Sequence, residues 1–210
     1  MVERDCRAED HGADGDDRAA RNSARDDGEG GAFECGQLEL RSSSWPEARW
    51  GFEHTRAGAQ YLGAVLQQTQ LDALRRGTFV ALRFTTGPYD TEWQAFADGN
   101  GNGVLARDIE QGIDLALGPA DRLAAHARQV SLRINQAVPD IGGGGVLATG
   151  SDPVRIGRSM LLSFSPTGSA TAGTLYVSAP RGPQMALRIT GPTGRLRILR
   201  YDAGAGTWLP

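Results

Sequence analysis

Residues 98–103 read Asp-Gly-Asn-Gly-Asn-Gly and set side-chain oxygens at alternate positions, on Asp98, Asn100 and Asn102, with Gly103 sixth in the run. That is the opening spacing of an EF-hand-type calcium loop. Alternate oxygens face one hard cation, and the glycine lets the chain turn sharply. Such a loop closes on a bidentate acid at its twelfth position, which here is Ile109, flanked by Asp108 and Glu110. Calcium is therefore the one candidate cofactor, with Asp98, Asn100 and Asn102 as its ligands. The mismatch at Ile109 favours a plain polar turn of residues that tolerate positive φ.

A second group is cationic: Arg155, Arg158, Arg181, Arg188, Arg195, Arg197 and Arg200, with no acid between Asp152 and Asp202. On a strand, Arg195 and Arg197 share a face about 7 Å apart while Leu196 turns to the core, a spacing able to meet successive phosphates. Alternating arginines on a strand edge also serve simply to block aggregation. Few aromatic residues interleave with them, so no platform for stacking bases is evident.

The remaining polar residues form no catalytic pattern. The glycine run 142–145 lacks the Lys-Ser/Thr of a phosphate loop and reads as a flexible linker within a mobile stretch 140–153. His11, His54 and His126 have no partner spacing for a metal or for catalysis, and His126 reads as a surface residue on a short helix. Cys6 and Cys35 match no metal-ligand spacing. No nucleophile-elbow or zinc-protease motif occurs, so no catalytic residue is assigned and an enzyme is the least supported class.

The elements that must position these groups are a helix and a series of short strands. Tyr61, Leu62, Val65, Leu66, Thr69 and Ala73 recur at three- and four-residue steps, which predicts an amphipathic helix over 55–76. Thr55 is the expected N-cap, Arg75 and Arg76 suit the carbonyl end, and Gly77 is the expected left-handed terminator. Residues 33–54 show no helical or strand period. Alternation predicts strands over 78–86 and 91–97, the first with Val80, Leu82 and Phe84 on one face, joined by the Gly87–Asp90 turn. Trp93, Ala95 and Ala97 share a face of the second, and Tyr61, Phe79, Trp93 and Phe96 are expected to fill the core. Ile113, Leu115 and Leu117 suggest another strand, 121–129 a turn or two of helix, and Val130, Leu132 and Ile134 a further strand. Strands are expected at 160–164, 174–178, 185–190 and 195–201, with turns at 166–168 and 191–194. A helix followed by antiparallel strands is the α+β layout.

The charge is unevenly distributed. Of 210 residues, the first 50 carry 7 arginines against 13 acids, while the rest carry 15 against 12, and there is no lysine. Residues 1–32 hold almost no large apolar side chains and are expected to be disordered, as part of a polar segment 1–54 ahead of a globular domain 55–210. No run of eighteen apolar residues is present.

The helix ending LDALRRG, the strand pair FVALRF and WQAFADGNGNG, the segment LLSFSPTGSATAGTLYV and the closing MALRITGPTGRLRI occur in this order. Together they resemble the GspH/FimT family of minor pseudopilins and minor type IV pilins over about residues 55–201. The resemblance implies a pilin-type domain, the end of a long helix packed on antiparallel sheets, at or near the tip of a periplasmic pseudopilus or pilus. Its implied partners are other pseudopilins, and its implied action is assembly. It further implies inner-membrane anchoring through an apolar N-terminal helix, whose place is taken here by the polar residues 26–50. We expect that either a displaced start or shifted reading frame accounts for that, which the composition favours, or this chain has lost filament assembly. For FimT-like pilins the Gly-Arg-x-Arg pattern implies DNA binding, which would fall to Arg195 and Arg197 with Arg188 and Arg200 nearby.

Overall fold

A computed structural model describes residues 45–87 and 90–210, with side chains from residue 49 onward. In chain order the elements are α1 (Trp45–Arg76), β1 (Val80–Thr86), β2 (Thr91–Ala97), α2 (Ala106–Glu110), β3 (Leu115–Ala116), β4 (Asp121–Arg122) and α3 (Leu123–His126). They continue as β5 (Ser131–Leu132), β6 (Val138–Pro139), β7 (Val146–Leu147), β8 (Val154–Arg155), β9 (Leu161–Phe164), β10 (Gly173–Ser178), β11 (Met185–Thr190), β12 (Arg195–Asp202) and β13 (Thr207–Leu209). The fold is α+β and pilin-like.

The helix forms around a stripe of buried residues, Thr55, Ala59, Leu62, Leu66, Thr69 and Ala73, spaced alternately by four and three. That spacing keeps them on one side of a 3.6-residue helix. Small residues let the helix lie close to the sheet. A Cβ on Gly63 would touch Leu196, Ile198 and Leu187 of the second sheet, and one on Gly51 would come within 2.6 Å of the Arg181 carbonyl oxygen. Arg75 and Arg76 lie in the last turn, and Gly77 follows at φ +66°. A residue with no Cβ adopts that left-handed conformation without steric cost.

The start of the helix corrects the sequence-based expectation. α1 begins at Trp45, so it runs across the compositional boundary at 54, and Thr55 is no N-cap but a wholly buried mid-helix residue. Its Oγ1 donates to the Gly51 carbonyl at 2.8 Å and accepts the Ala179 N–H at 3.2 Å, tying helix to sheet. The early start escaped pattern reading because its contacts with the 179–182 segment are made by Gly51 and Thr55. Pro46 is tolerated in the first turn, where its missing N–H would have had no partner.

Two antiparallel sheets flank the helix. The first has the order β3-β2-β1-β9, with β4 also on β2. β1 and β2 pair from Val80↔Ala97 to Thr86↔Thr91. As alternation requires, Val80, Leu82, Phe84 and Trp93 join the main core while Ala81 and Phe96 pack on the other side with Val104 and Leu161. The second sheet has the order β13-β12-β11-β10-β5, with β8 beside β5 along the edge of β10. Its inner residues Leu175, Val177, Leu187 and Ile189 pack under α1. On its outer side Tyr176 and Ala186 form a small cluster with Ile134 and Val138, flanked by Tyr201 and Trp208.

Three further expectations change. Of the strand foreseen around Ile113, Leu115 and Leu117, Leu115–Ala116 forms β3 on β2 and the Leu117 N–H donates to the Ala95 carbonyl of β2 at 2.8 Å, while Ile113 and Leu115 are exposed. Stretch 140–153 holds β7, which pairs with β6 through Val138↔Leu147. β13, not foreseen, pairs with the end of β12 through Tyr201↔Trp208. The expected turn at 87–90 lies partly outside the described residues, as do Cys6, His11, Cys35 and the whole segment 1–44.

Candidate functional site

The loop after β2 is a polar turn closed by its own hydrogen bonds. Asp98 Oδ1 accepts the N–H groups of Asn100 at 3.1 Å and Gly101 at 2.7 Å, and Oδ2 accepts that of Gly103 at 2.8 Å. Gly101 and Gly103, at φ +81° and +87°, supply the left-handed positions that bring these N–H groups inward. Two carboxylates that the motif did not single out complete the arrangement. Asp114 accepts the Gly99 N–H at 3.0 Å and the Leu105 N–H at 2.9 Å. Asp108 accepts the side-chain amides of Asn102 at 2.9 Å and Asn100 at 3.4 Å. Asn100 and Asn102 thus turn donors, not oxygens, toward the nearest carboxylate. All three acids are buried. The Asn102 amide and the neighbouring Asn100 and Arg107 hold the Asp108 carboxyl below the usual carboxylate range, against the opposing effect of its burial. Glu110 faces away and pairs with Arg83 at 3.6 Å. Among the described residues no group of three or more His, Cys, Asp or Glu is arranged to hold a metal ion.

The arginines fall on two faces. β11 and β12 pair without a bulge, Arg188 opposite Arg197 and Thr190 opposite Arg195. Leu196 and Ile198 pack into the core, so Arg195 and Arg197 point outward together, as expected, and Arg188 joins them. Arg200 is separated from this set. Its parity sends it to the helix side, where its guanidinium lies 5.9 Å from the centre of the Phe52 ring. The outer row extends further than sequence reading reached, because Arg188 lies opposite Thr174 on β10 and Thr174 opposite Arg155 on β8. Only the strand register reveals that line of Arg155, Thr174, Arg188 and Arg197.

The glycine run 142–145 is no free linker here but the turn between β6 and β7. The Asp140 N–H donates to the Gly145 carbonyl at 3.0 Å, and Gly144 and Gly145 have positive φ. The turn lies against the outer face: a Cβ on Gly142 would sit 2.7 Å from Arg188 Nη1. Beneath it, Asp140 accepts the Tyr176 hydroxyl at 3.1 Å and faces Arg155 at 3.5 Å. Burial, with the Asp140 charge adding to it, pushes the Tyr176 hydroxyl up to about 12.

Of the two described histidines, His54 stacks on Trp50 and bonds its carbonyl within α1, while His126 joins side chains from different elements. Its Nε2 lies 2.8 Å from both Asp121 oxygens, and its ring stacks on Tyr61, whose hydroxyl donates to Asp121 at 3.3 Å. Burial acts to raise the Asp121 carboxyl, and the His126 and Arg122 hydrogen bonds outweigh it and hold it low. The group fastens α3 to α1.

The family model described as Type II transport protein GspH matches residues 58–194. No curated protein matches the chain, and no solved structure does. The matched span runs from within α1 to the glycine just before Arg195, so Arg155, Arg158 and Arg188 lie inside it and Arg195 and Arg197 outside.

Proposed function

The chain belongs to the GspH family of type II transport proteins, and from that premise we propose that it is a minor pseudopilin at or near the tip of a type II secretion pseudopilus. The family consists of structural pseudopilins, not enzymes, and is tied to a periplasmic pseudopilus at the inner membrane. No described helix is long and apolar enough to cross a membrane. The observation that carries the proposal is the matched span itself, laid on a helix whose inner stripe is buried while Leu71 and Leu74 on other sides stay 44% and 45% exposed. Apolar side chains left on the end of such a helix suit packing against a neighbouring subunit. Its mechanism is assembly: helix surface, loops and sheet edges contact adjacent pseudopilins.

The test pairs deletion with cross-linking. Loss of the gene should abolish export by the host's type II machine, and a photo-cross-linker at Leu71 or Leu74 should capture another pseudopilin. Normal export together with no pseudopilin adduct would overturn the proposal.

A second reading, a minor pilin that binds DNA, is supported by one observation. Arg195 and Arg197 share an exposed face with Arg188, and neither pairs with a carboxylate among the described residues. It requires DNA binding that weakens steeply with salt and is lost when both are changed to Gln. No binding at low salt removes it, and binding that survives the double change moves it elsewhere.

A further inference from the structure

The outer face of the second sheet holds an open cavity of about 500 Å³, bounded by the Gly142–Gly143 turn, by Arg155 and Arg158, and by Thr174 and Arg188. We propose that this cavity binds a phosphate group, carried on a small molecule or a lipid headgroup, between the guanidinium groups of Arg155, Arg158 and Arg188. The site adjoins the Arg195 and Arg197 surface at Arg188 and extends away from it to Arg155 and Arg158, and the assembly function does not call for it.

Register puts Arg155 and Arg188 on either side of Thr174. Their backbones are two strand spacings apart, about 10 Å, so both side chains can converge on one group from either side of the buried Thr174. Arg188 is half-buried and donates from Nη1 to Thr174 Oγ1 at 2.9 Å, while pairing with no carboxylate among the described residues. Arg158 is exposed and unpaired. Arg155 is held by Asp140 at 3.5 Å, yet its side chain remains 45% exposed while that of Asp140 is 4% exposed. The acid's oxygens are directed inward, to the Tyr176 hydroxyl and the Gly142 N–H as well as to Arg155. It orients Arg155 and leaves the rest of the guanidinium toward the cavity. Asp152 also lines the cavity, its Oδ1 accepting the Val154 N–H at 2.9 Å.

Two features select the ligand class. Among the described residues no aromatic side chain lines the cavity, whose wall beside the arginines, Thr174, Asp140 and Asp152 is glycine, alanine and valine, so a ring would find nothing to stack on. Planar guanidinium forks match the oxygens of a phosphate and hold it by charge-assisted hydrogen bonds. There is also an uncompensated cost to explain: Arg188 lies directly opposite Arg197, and like charges in that position repel. A bound dianion relieves that repulsion. The volume exceeds a bare phosphate and leaves room for the group that carries it.

The test uses the full chain. Calorimetric titration with pyrophosphate at constant ionic strength, with chloride as the control, probes the free ligand. Flotation with phosphatidylcholine vesicles, with and without phosphatidic acid, probes the headgroup. Saturable binding in either arm, weakened about tenfold by Arg158→Gln or by Arg188→Gln and unchanged by Arg76→Gln at the exposed end of α1, is the expected result. Arg158 is exposed and makes no hydrogen bond or ion pair among the described residues, so its variant tests the site with little effect on the fold. Absence of binding in both arms, or binding untouched by the Arg158→Gln/Arg188→Gln double variant, overturns the proposal.

Discussion

The Asp98–Asp114 loop and the outer face of the second sheet are both rich in charge, and they handle it in opposite ways. In the loop, three buried carboxylates accept hydrogen bonds from five backbone N–H groups and two side-chain amides, so their charge goes into fixing a turn. On the sheet, Arg188, Arg195 and Arg197 stand together with no acid paired to them among the described residues. In the sequence both regions offer a candidate binding motif, and the mismatch at Ile109 already favours a plain polar turn for the loop. A motif of chemically able residues is a site only when its hydrogen-bonding capacity has not already been consumed by the chain's own backbone.

The comparison is tested most strongly in the loop. Asp98→Ala strips the acceptors from three N–H groups in one turn and should cost about 3 kcal/mol, read from urea unfolding. Asp114→Ala, which frees the N–H groups of Gly99 and Leu105, should cost about 2 kcal/mol. Because those oxygens are already occupied, millimolar calcium should leave the thermal midpoint within about 1 °C, and a rise of several degrees would show an ion displacing the N–H groups.

Acid should separate the two regions next. The Asp108 carboxyl is held low, first by the Asn102 amide, so its folded pKa lies below its unfolded one. Its contribution is complete above the ordinary carboxylate range and is lost as pH falls through the folded value. Stability should therefore drop on acidification below about pH 4, and Asp108→Asn should flatten that part of the curve. Guanidinium groups keep their charge throughout this range, so changes on the sheet face should leave the acid limb as it is.

How much of this was legible in the sequence follows from the distance over which each feature is encoded. The β1–β2 hairpin and its faces were readable because Val80, Leu82, Phe84 and Trp93 alternate locally with residues of the other face. The helix end was readable at Arg75, Arg76 and Gly77. Its start was not, since Thr55 and Gly51 serve contacts with residues 179–182, more than a hundred positions away. The same holds for the candidate sites. Asp98, Asn100 and Asn102 could be picked out, but Asp114, which completes the loop, lies beyond the motif. The alignment of Arg155 with Arg188 depends on the register of three strands, which no local pattern carries.

A smaller effect is expected where the regions of the outer face meet. Gly142→Ala places a Cβ 2.7 Å from Arg188 Nη1. The obstacle is the end of a flexible side chain, so the guanidinium should swing aside at a cost below about 1 kcal/mol, while any anion held there is released.

The smallest effect is the most discriminating. Arg197 faces Arg188 across β11 and β12 with no carboxylate between them. Replacing it removes repulsion and no contact that folding needs, so Arg197→Gln should change stability by less than about 0.5 kcal/mol, and toward greater stability. Arg197→Glu turns the like pair into an opposite one and should add a few tenths of a kcal/mol more, about what a half-exposed cross-strand ion pair supplies. Salt should report the same cause: screening ought to stabilise the natural chain slightly and the Glu variant not at all. A loss of 1 kcal/mol or more on either change would mean that Arg197 makes a structural contact of the kind that occupies the loop, and the contrast between the two regions would fail at that residue.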